Sequence, residues 1–446
     1  MINIKSKNPN LLSLLNKNPN SDFGVYTKTY KNGNLFGVVE SDNEYNVIFI
    51  DTFKYIYAEY SDNLIDFQSY CNPQAALNFI SELFPQFLVD KHTYYSQTIS
   101  WLNKTNLELD KEEATIEIPL FYIDSNWYRD GKYILSRYIP NLDVNQIKGN
   151  LYSLKYTGKN IFETFNVVSL VCLMTTITNE QSFVVEEQLV NKYVKVLTNI
   201  DNLPYFMFYL FIKRAIFTQT IFEKVKTRLE NYFVDTPNPV LKFHFEDTHG
   251  CRLNSISEKI GLDRDIIDIG CGELKYVRKF LCNLGFNKKY YAFDLDEKTE
   301  ERINLFKTRY KHKVLNSSNL IHLKNISDLY NSDEVYNIII TEVIEHNEID
   351  VSKKLILDIV TNINFEKLVI TTPDADFNQF YFIGEDLNTA KRREDHVFEL
   401  SQNDFREYIN DIFKDTTYKI DFIQIGDQLL SNNKIVTPTQ GVVITK

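Results

Sequence analysis

Beyond residue 265, short apolar runs alternate with stretches of helical period, and this constrains the fold more than any other feature of the chain. Strands that alternate with helices pair in parallel, because a parallel neighbour can only be reached through a crossover. The run Ile266-Ile267-Asp268-Ile269 leads into a helix over 274–284, ended by Gly285, and a strand over 290–294 leads into a helix over 297–310. Further strands fall at 335–340 and 367–371, with a helix over 351–363 between them. Ser401-Gln402-Asn403-Asp404 reads as the cap of a helix ending at Phe413. The tail differs: 418–425 and 441–445 predict an antiparallel pair joined by a proline-containing loop.

The first part of the chain has another rhythm. Strand-like runs at 35–39 and 47–51 precede a helix over 75–88 and a strand group at 114–123, and from 161 to about 233 the pattern is mainly helical. Asp235-Thr236-Pro237-Asn238-Pro239 breaks that helical run. The boundary is placed there, giving an α+β domain over 1–238, with room for two subdomains, and an α/β domain over 239–446. A length of 446 residues exceeds one typical core. The apolar stretches 165–177 and 205–212 are interrupted by polar residues or end at Lys213-Arg214, short of the roughly 18–20 residues of a membrane span, and predict burial instead. Met1-Ile2-Asn3-Ile4-Lys5 lacks the apolar core of a secretory signal. The five cysteines are scattered without a CxxC, as expected of reduced thiols in the cytoplasm. A net charge of −11 counts against broad wrapping of duplex nucleic acid, but not against a small site for a strand end.

Asp268-Ile269-Gly270-Cys271-Gly272-Glu273 follows the first strand and opens a helix. Glycines there let the backbone approach a ligand, and Asp294, one strand later, is placed to accept hydrogen bonds from both hydroxyls of a ribose. The pattern fits a dinucleotide or S-adenosyl-L-methionine. The third glycine of the dinucleotide fingerprint is missing, since Leu274 and Lys275 follow Glu273, which counts against a pyrophosphate and favours the second. Asp328 is placed to meet an adenine amine. The plainer alternative is a strand-to-helix turn that needs glycine only for its shape, with Cys271 a small packing residue.

Thr341-Glu342-Val343-Ile344-Glu345-His346 follows the fourth strand. On a helix Glu342, Glu345 and His346 would share one face, and His396, in Asp395-His396-Val397-Phe398-Glu399, could close the set. Carboxylates with imidazole suit Mg²⁺ or Mn²⁺, whereas structural zinc favours thiolates. Acidic residues in a first helical turn are also favoured by the dipole alone, and His346 could equally serve as a base. His244 and His249 read as packing or loop residues.

A parallel sheet closed by a late antiparallel hairpin is similar to class I methyltransferases. Thr371-Thr372-Pro373-Asp374-Ala375-Asp376-Phe377-Asn378 and Arg392-Arg393-Glu394-Asp395-His396-Val397-Phe398-Glu399-Leu400, with the Glu342–His346 segment, resemble in order and spacing the 3′-terminal RNA ribose 2′-O-methyltransferases, the Hua-enhancer family. The chain departs from that pattern at Asp374, Arg393 and Leu400. The resemblance implies a divalent ion (Mg or Mn) held by Glu342, Glu345, His346 and His396, and S-adenosyl-L-methionine held by Asp268, Gly270, Gly272, Asp294 and Asp328. It implies methyl transfer to the 2′-hydroxyl of the 3′-terminal ribose of RNA, with Asn378, Arg392 and Arg393 facing the terminal nucleotide and its phosphate. Alternatively, Asn378 caps local backbone and the arginines are a solvated face. Asn10-Leu11-Leu12-Ser13-Leu14-Leu15-Asn16-Lys17-Asn18-Pro19 and the strand ending Ile48-Phe49-Ile50-Asp51 resemble the opening of the bacterial branch. That branch's amino-terminal region works with a polynucleotide kinase-phosphatase that also ligates RNA, which implies a role in bacterial RNA repair and no membrane. Two other readings are a small-molecule O-methyltransferase of the quinone-biosynthesis kind, which leaves His396 unexplained, and a non-catalytic adaptor of an RNA repair ligase.

Overall fold

The computed structural model describes residues 1–17, 19, 21–31, 33–51, 69–124, 128–129, 132–179, 187–312, 317–382 and 391–446. Two compact units comprise Met1–Tyr232 and Phe233–Lys446. Asn18, in the opening segment quoted above, lies outside the described residues.

The first unit is built on a seven-stranded antiparallel sheet in the order Leu142–Lys148, Leu151–Gly158, Ala114–Tyr122, Ile2–Ser6, Glu44–Asp51, Gly33–Ser41, Gly24–Tyr30. Ile2–Ser6 lies inside the sheet, paired on both sides, and its period of two buries Ile2 and Ile4 while Lys5 is exposed. The helix expected over 75–88 stops at Leu83, since Pro85 starts a separate 3-10 turn, Pro85–Phe87. Ile161–Thr178 is, among the described residues, the one helix long and apolar enough to cross a membrane, and it is 89% buried inside the fold. Its apolar residues run all round it, as a helix wrapped by other structure requires. Helices Glu187–Asn199, Tyr205–Ala215 and Gln219–Asn231 follow.

The second unit carries the expected α/β sheet. Its strands are β1 (Asp265–Ile269), β2 (Tyr290–Phe293), β3 (Leu320–His322), β4 (Tyr336–Thr341), β5 (Phe365–Pro373), β6 (Lys419–Ile425) and β7 (Thr439–Thr445). They pair in the order β3-β2-β1-β4-β5-β7-β6. The first five are parallel, and β7 is antiparallel to both β5 and β6, which is the sheet of a class I methyltransferase. The helices are α1 (Thr248–Ile260), α2 (Lys275–Arg278, prolonged by a π turn Lys279–Asn283), α3 (Thr299–Arg309), α4 (Ile349–Asn362) and α5 (Gln402–Phe413). Ser401 caps α5, its side chain accepting from the Asp404 amide.

Both faces of the sheet are buried, and the period of two sorts its residues between them. Ile267, Ile338, Ile340, Leu368, Ile370, Val442 and Ile444 pack against Ile356 and Ile359 of α4 and Phe405 and Ile409 of α5. Ile266, Ala292, Ile339, Val369 and Val443 pack against Ile256 and Ile260 of α1, Val277 and Phe280 of α2, and Ile303 and Phe306 of α3. Each of the larger side chains contributes about 1.5–3 kcal/mol when fully buried, so the sheet is a stiff base for the loops at its carboxyl edge. The connection between β6 and β7 is more ordered than the loop expected there. Gln428–Ser431 and Lys434–Val436 form a hairpin that Val240–Lys242 joins as a third strand.

Candidate active site

At the end of β1 the chain turns sharply through Gly270 (φ 76°) and Gly272 (φ 48°), both left-handed. The Gly270 and Cys271 amides donate to the Phe293 carbonyl at 2.8 and 3.0 Å, tying the turn to the end of β2. A Cβ on Gly270 would lie 2.3 Å from Cγ2 of Val343, so glycine is required there for close approach as well as for φ. Through this contact the glycine turn and the Glu342–His346 segment form one continuous surface. The Gly272 amide donates to Oδ2 of Asp294 at 2.8 Å, and Oδ1 of Asp294 accepts from the Asp296 amide at 2.9 Å. Each Asp294 oxygen keeps lone-pair capacity beyond these bonds. Asp268 is fully buried; its Oδ2 accepts from the Tyr290 hydroxyl at 2.8 Å, and its Oδ1 has no partner among the described residues. Burial first, and nearby Asp294 in addition, push its carboxyl up to about 7 despite the Tyr290 bond. Asp328 is exposed on the 3-10 turn Ile326–Leu329, which follows β3.

The segment after β4 is not the α-helix expected from the spacing of Glu342, Glu345 and His346. Glu342 takes a left-handed φ of 54°, and only the 3-10 turn Ile344–His346 follows. A hydrogen bond from the Glu342 amide to the Thr371 carbonyl, 2.9 Å, holds that backbone. The consequence is that Glu342 separates from the other two. Its Oε2 pairs with Nη1 of Arg252 at 2.7 Å, and its Oε1 accepts from the Thr371 hydroxyl at 3.2 Å.

Glu345, His346 and His396 do converge. One potential ligand atom from each lies within 4.8 Å of the others, and among the described residues this is the only such group of His, Cys, Asp and Glu. Glu345 is fully buried; its Oε2 accepts from the Thr372 hydroxyl at 3.1 Å, and its Oε1 has no partner among the described residues. Burial, then the charge of Glu342, push its carboxyl well above the usual carboxylate range. The two imidazole rings meet edge to face, with centroids 4.9 Å apart. Nδ1 of His346 is 3.2 Å from the Asp395 carbonyl, which can only accept, so that nitrogen carries the proton. Nδ1 of His396 is 2.5 Å from Oε1 of Glu399. Burial alone would raise Glu399, but bonds from His396, Asn378 and the Arg392 amide hold it below the usual carboxylate range, so it accepts as well. Both rings therefore offer the Nε2 lone pair, with Nδ1–H held by an oxygen behind it, as in metal sites whose histidines are fixed from outside. An orphaned buried carboxylate oxygen beside two such nitrogens is a donor set that fits a divalent cation.

A network behind His396 fixes this side. Nδ2 of Asn378 donates to Oε2 of Glu399 at 2.6 Å, and Nε of Arg392 donates to Oδ1 of Asn378 at 2.6 Å. Nη2 of Arg392 reaches the Asp374 carbonyl at 2.5 Å, and Nη1 donates to the Pro438 carbonyl. Arg392 and Asn378, expected at the RNA terminus, thus turn inward and brace the His396 loop. Arg393 remains exposed, paired with Asp395 at 3.1 Å. Asp374 and Leu400 are joined by a backbone bridge, so two of the three departures from the family pattern are structural partners. Burial above all pushes the Asp374 carboxyl up to about 6.

Sequence reasoning missed Arg252, Thr371, Thr372 and Glu399 as site residues. Glu399 stands three positions after His396 inside the quoted motif and was legible there, whereas Arg252 comes from α1, upstream of every methyltransferase motif, with no local signal. His249, read as a packing or loop residue, lies half-buried on α1 with Nδ1 3.3 Å from Nη2 of Arg252, and partial burial together with that arginine lowers its pKa to about 4.

The Hen1 N-terminal domain matches residues 1–234. A chain of the Pnkp1/Rnl/Hen1 RNA repair complex is 38% identical over 100% of both chains, with a TM-score of 0.86. A chain of a second structure of the Pnkp1/Rnl/Hen1 complex is 39% identical over 100% of this chain and 99% of that one, with a TM-score of 0.85. A small RNA 2′-O-methyltransferase of Tetrahymena thermophila is 29% identical over 116 residues, 26% of this chain. The match spans 27% of that relative's length.

Proposed function

The chain belongs to the family defined by the Hen1 N-terminal domain, and from that premise we propose that it transfers the methyl group of S-adenosyl-L-methionine to the 2′-hydroxyl of the 3′-terminal ribose of RNA. The observation that carries this reading is the convergence of Glu345, His346 and His396 at the carboxyl edge of the sheet, joined through Val343 to the glycine turn of a methyltransferase fold. Gly270 and Gly272 let the donor approach the backbone, Asp294 receives its ribose, and Asp328 meets its adenine. Asp268 sets the floor of this site with its orphaned oxygen.

The donor set is of the kind that takes Mg²⁺ or Mn²⁺. A divalent ion there would make a ribose hydroxyl, otherwise a poor nucleophile at neutral pH, far more acidic. The chain's own residues do the positioning. Glu345 presents a buried carboxyl oxygen that a bound cation would hold ionised, His346 and His396 present Nε2, and Asp395 and Glu399 keep both rings from turning. A terminal ribose offers vicinal 2′ and 3′ oxygens to this edge, and an internal ribose offers only one free hydroxyl, so end specificity requires no reading of bases. Arg393, the exposed cation beside His346 and Asp395, is assigned to the terminal phosphate. The substrate is RNA under repair, the partners are a polynucleotide kinase-phosphatase and a ligase engaged through the first unit, and a cytoplasmic reaction is in keeping with scattered free cysteines.

Methyl transfer from labelled donor to a short single-stranded RNA tests this. Transfer should stop on chelation, return with Mn²⁺ or Mg²⁺, and be absent on RNA whose last sugar is 2′-deoxy. Transfer that persists on the deoxy end, or in chelator, would overturn the reading.

A further inference from the structure

α1 sends one side chain to the cation edge. Arg252 is 13% exposed, its Nη1 lies 2.7 Å from Oε2 of Glu342 and 3.2 Å from Oγ1 of Thr439, and its Nη2 lies 3.3 Å from Nδ1 of His249. These contacts come from α1 itself, the end of β4 and the start of β7, so the guanidinium is held from three directions. His249 brings no charge of its own, since its pKa is lowered to about 4. The carboxylate paired with Arg252 is therefore Glu342, while the guanidinium's charge also reaches Glu345. Both oxygens of Glu342 are engaged, one by Arg252 and one by Thr371, while Glu345, His346 and His396 gather without it.

We propose that Arg252 is a built-in competitor of the cation for Glu342. It holds that carboxylate off a three-ligand site, so a divalent ion engages Glu345, His346 and His396 first and gains Glu342 only by displacing the guanidinium. This rests on the cation reading above. Glu342 stands outside the converging group, so it must leave the guanidinium to join a cation bound there, and the two positive charges repel each other across half-buried space. Arg252 is thus a positioning residue with two opposed effects: it stabilises the ion-free fold and weakens ion binding. A merely structural arginine would do the first alone, and its loss would weaken both.

The test is titration of Mn²⁺ into the full-length chain, followed by the electron paramagnetic resonance of free Mn²⁺. R252Q should bind Mn²⁺ roughly tenfold tighter than wild type, while melting at a lower temperature without the ion. R252K, which keeps the charge, should bind much as wild type does. The gain should vanish in the double variant R252Q/E342Q. Unchanged or weaker Mn²⁺ binding by folded R252Q overturns the inference; should R252Q melt below the assay temperature, R252M keeps the aliphatic stem and carries the same test. H396A separates the two claims. If it binds Mn²⁺ as wild type does, the cation reading itself fails; if it loses Mn²⁺ while R252Q is unchanged, only the role of Arg252 falls.

Discussion

His396 joins two functions at one ring: it converges with Glu345 and His346, and its Nδ1 is fixed by Glu399, which leaves the Nε2 lone pair free. His396→Ala should lower methyl transfer at least ~100-fold while donor binding, measured by calorimetry with S-adenosylhomocysteine, stays near wild type. Loss of both would point to misfolding. Glu399→Gln should keep the fold and weaken Mn²⁺ binding roughly 10- to 100-fold, because the ring loses its orienting charge. Asp268 gives a pH signature. Its folded pKa of about 7 lies above the ordinary 3.8, so its protonation stabilises the folded state fully below about pH 4, and that stabilisation is lost as pH rises through about 7. The melting temperature of the donor-free protein should therefore fall more steeply between about pH 5 and about pH 8 in wild type than in Asp268→Asn. Equal slopes would contradict the burial of a carboxyl there.

At the scale of elements, the loop over 391–400 is held by Arg392 rather than by a strand or helix, its guanidinium and amide reaching Asn378, Asp374, Pro438 and Glu399. Arg392→Ala leaves several buried acceptors unpaired and should cost about 2–4 kcal/mol in chemical denaturation, with methyl transfer lost alongside. Arg393→Ala, on the exposed side, should change stability by less than ~0.5 kcal/mol and act on RNA binding alone. Similar stability losses in both would contradict this division of labour. The parallel strands, the glycine turn and the closing pair were legible because apolar runs of period two and a GxG turn are local signals. The left-handed φ of Glu342 was not, since glutamate gives no hint of it and spacing alone argued for a helix. The small hairpin Gln428–Ser431 and Lys434–Val436 did leave a signal, as Asn432 and Asn433 both take positive φ at its turn, a conformation asparagine tolerates. Arg252 was invisible because only the packing of α1 brings it to the strand ends. In the first unit, Gly24–Tyr30 and Leu142–Lys148 are polar, solvent-facing strands whose pairing depends on neighbours far along the chain.

For the whole molecule, family membership and the full-length match place a sheet-and-helix unit, Met1–Tyr232, on the same chain as a methyltransferase fold. If the first unit recruits repair enzymes and the second modifies the end they act on, the two activities separate by mutation. The full-length His396→Ala chain should co-purify with a kinase-phosphatase and ligase as wild type does while transferring no methyl group. Loss of partner binding in that variant would contradict the separation. The central claim concerns the cation. Crystals soaked in Mn²⁺ with S-adenosylhomocysteine and an RNA 3′ end, measured at the manganese edge, should show one anomalous peak bound by Glu345, His346 and His396. No peak there, or a peak bound by other residues, would contradict the account.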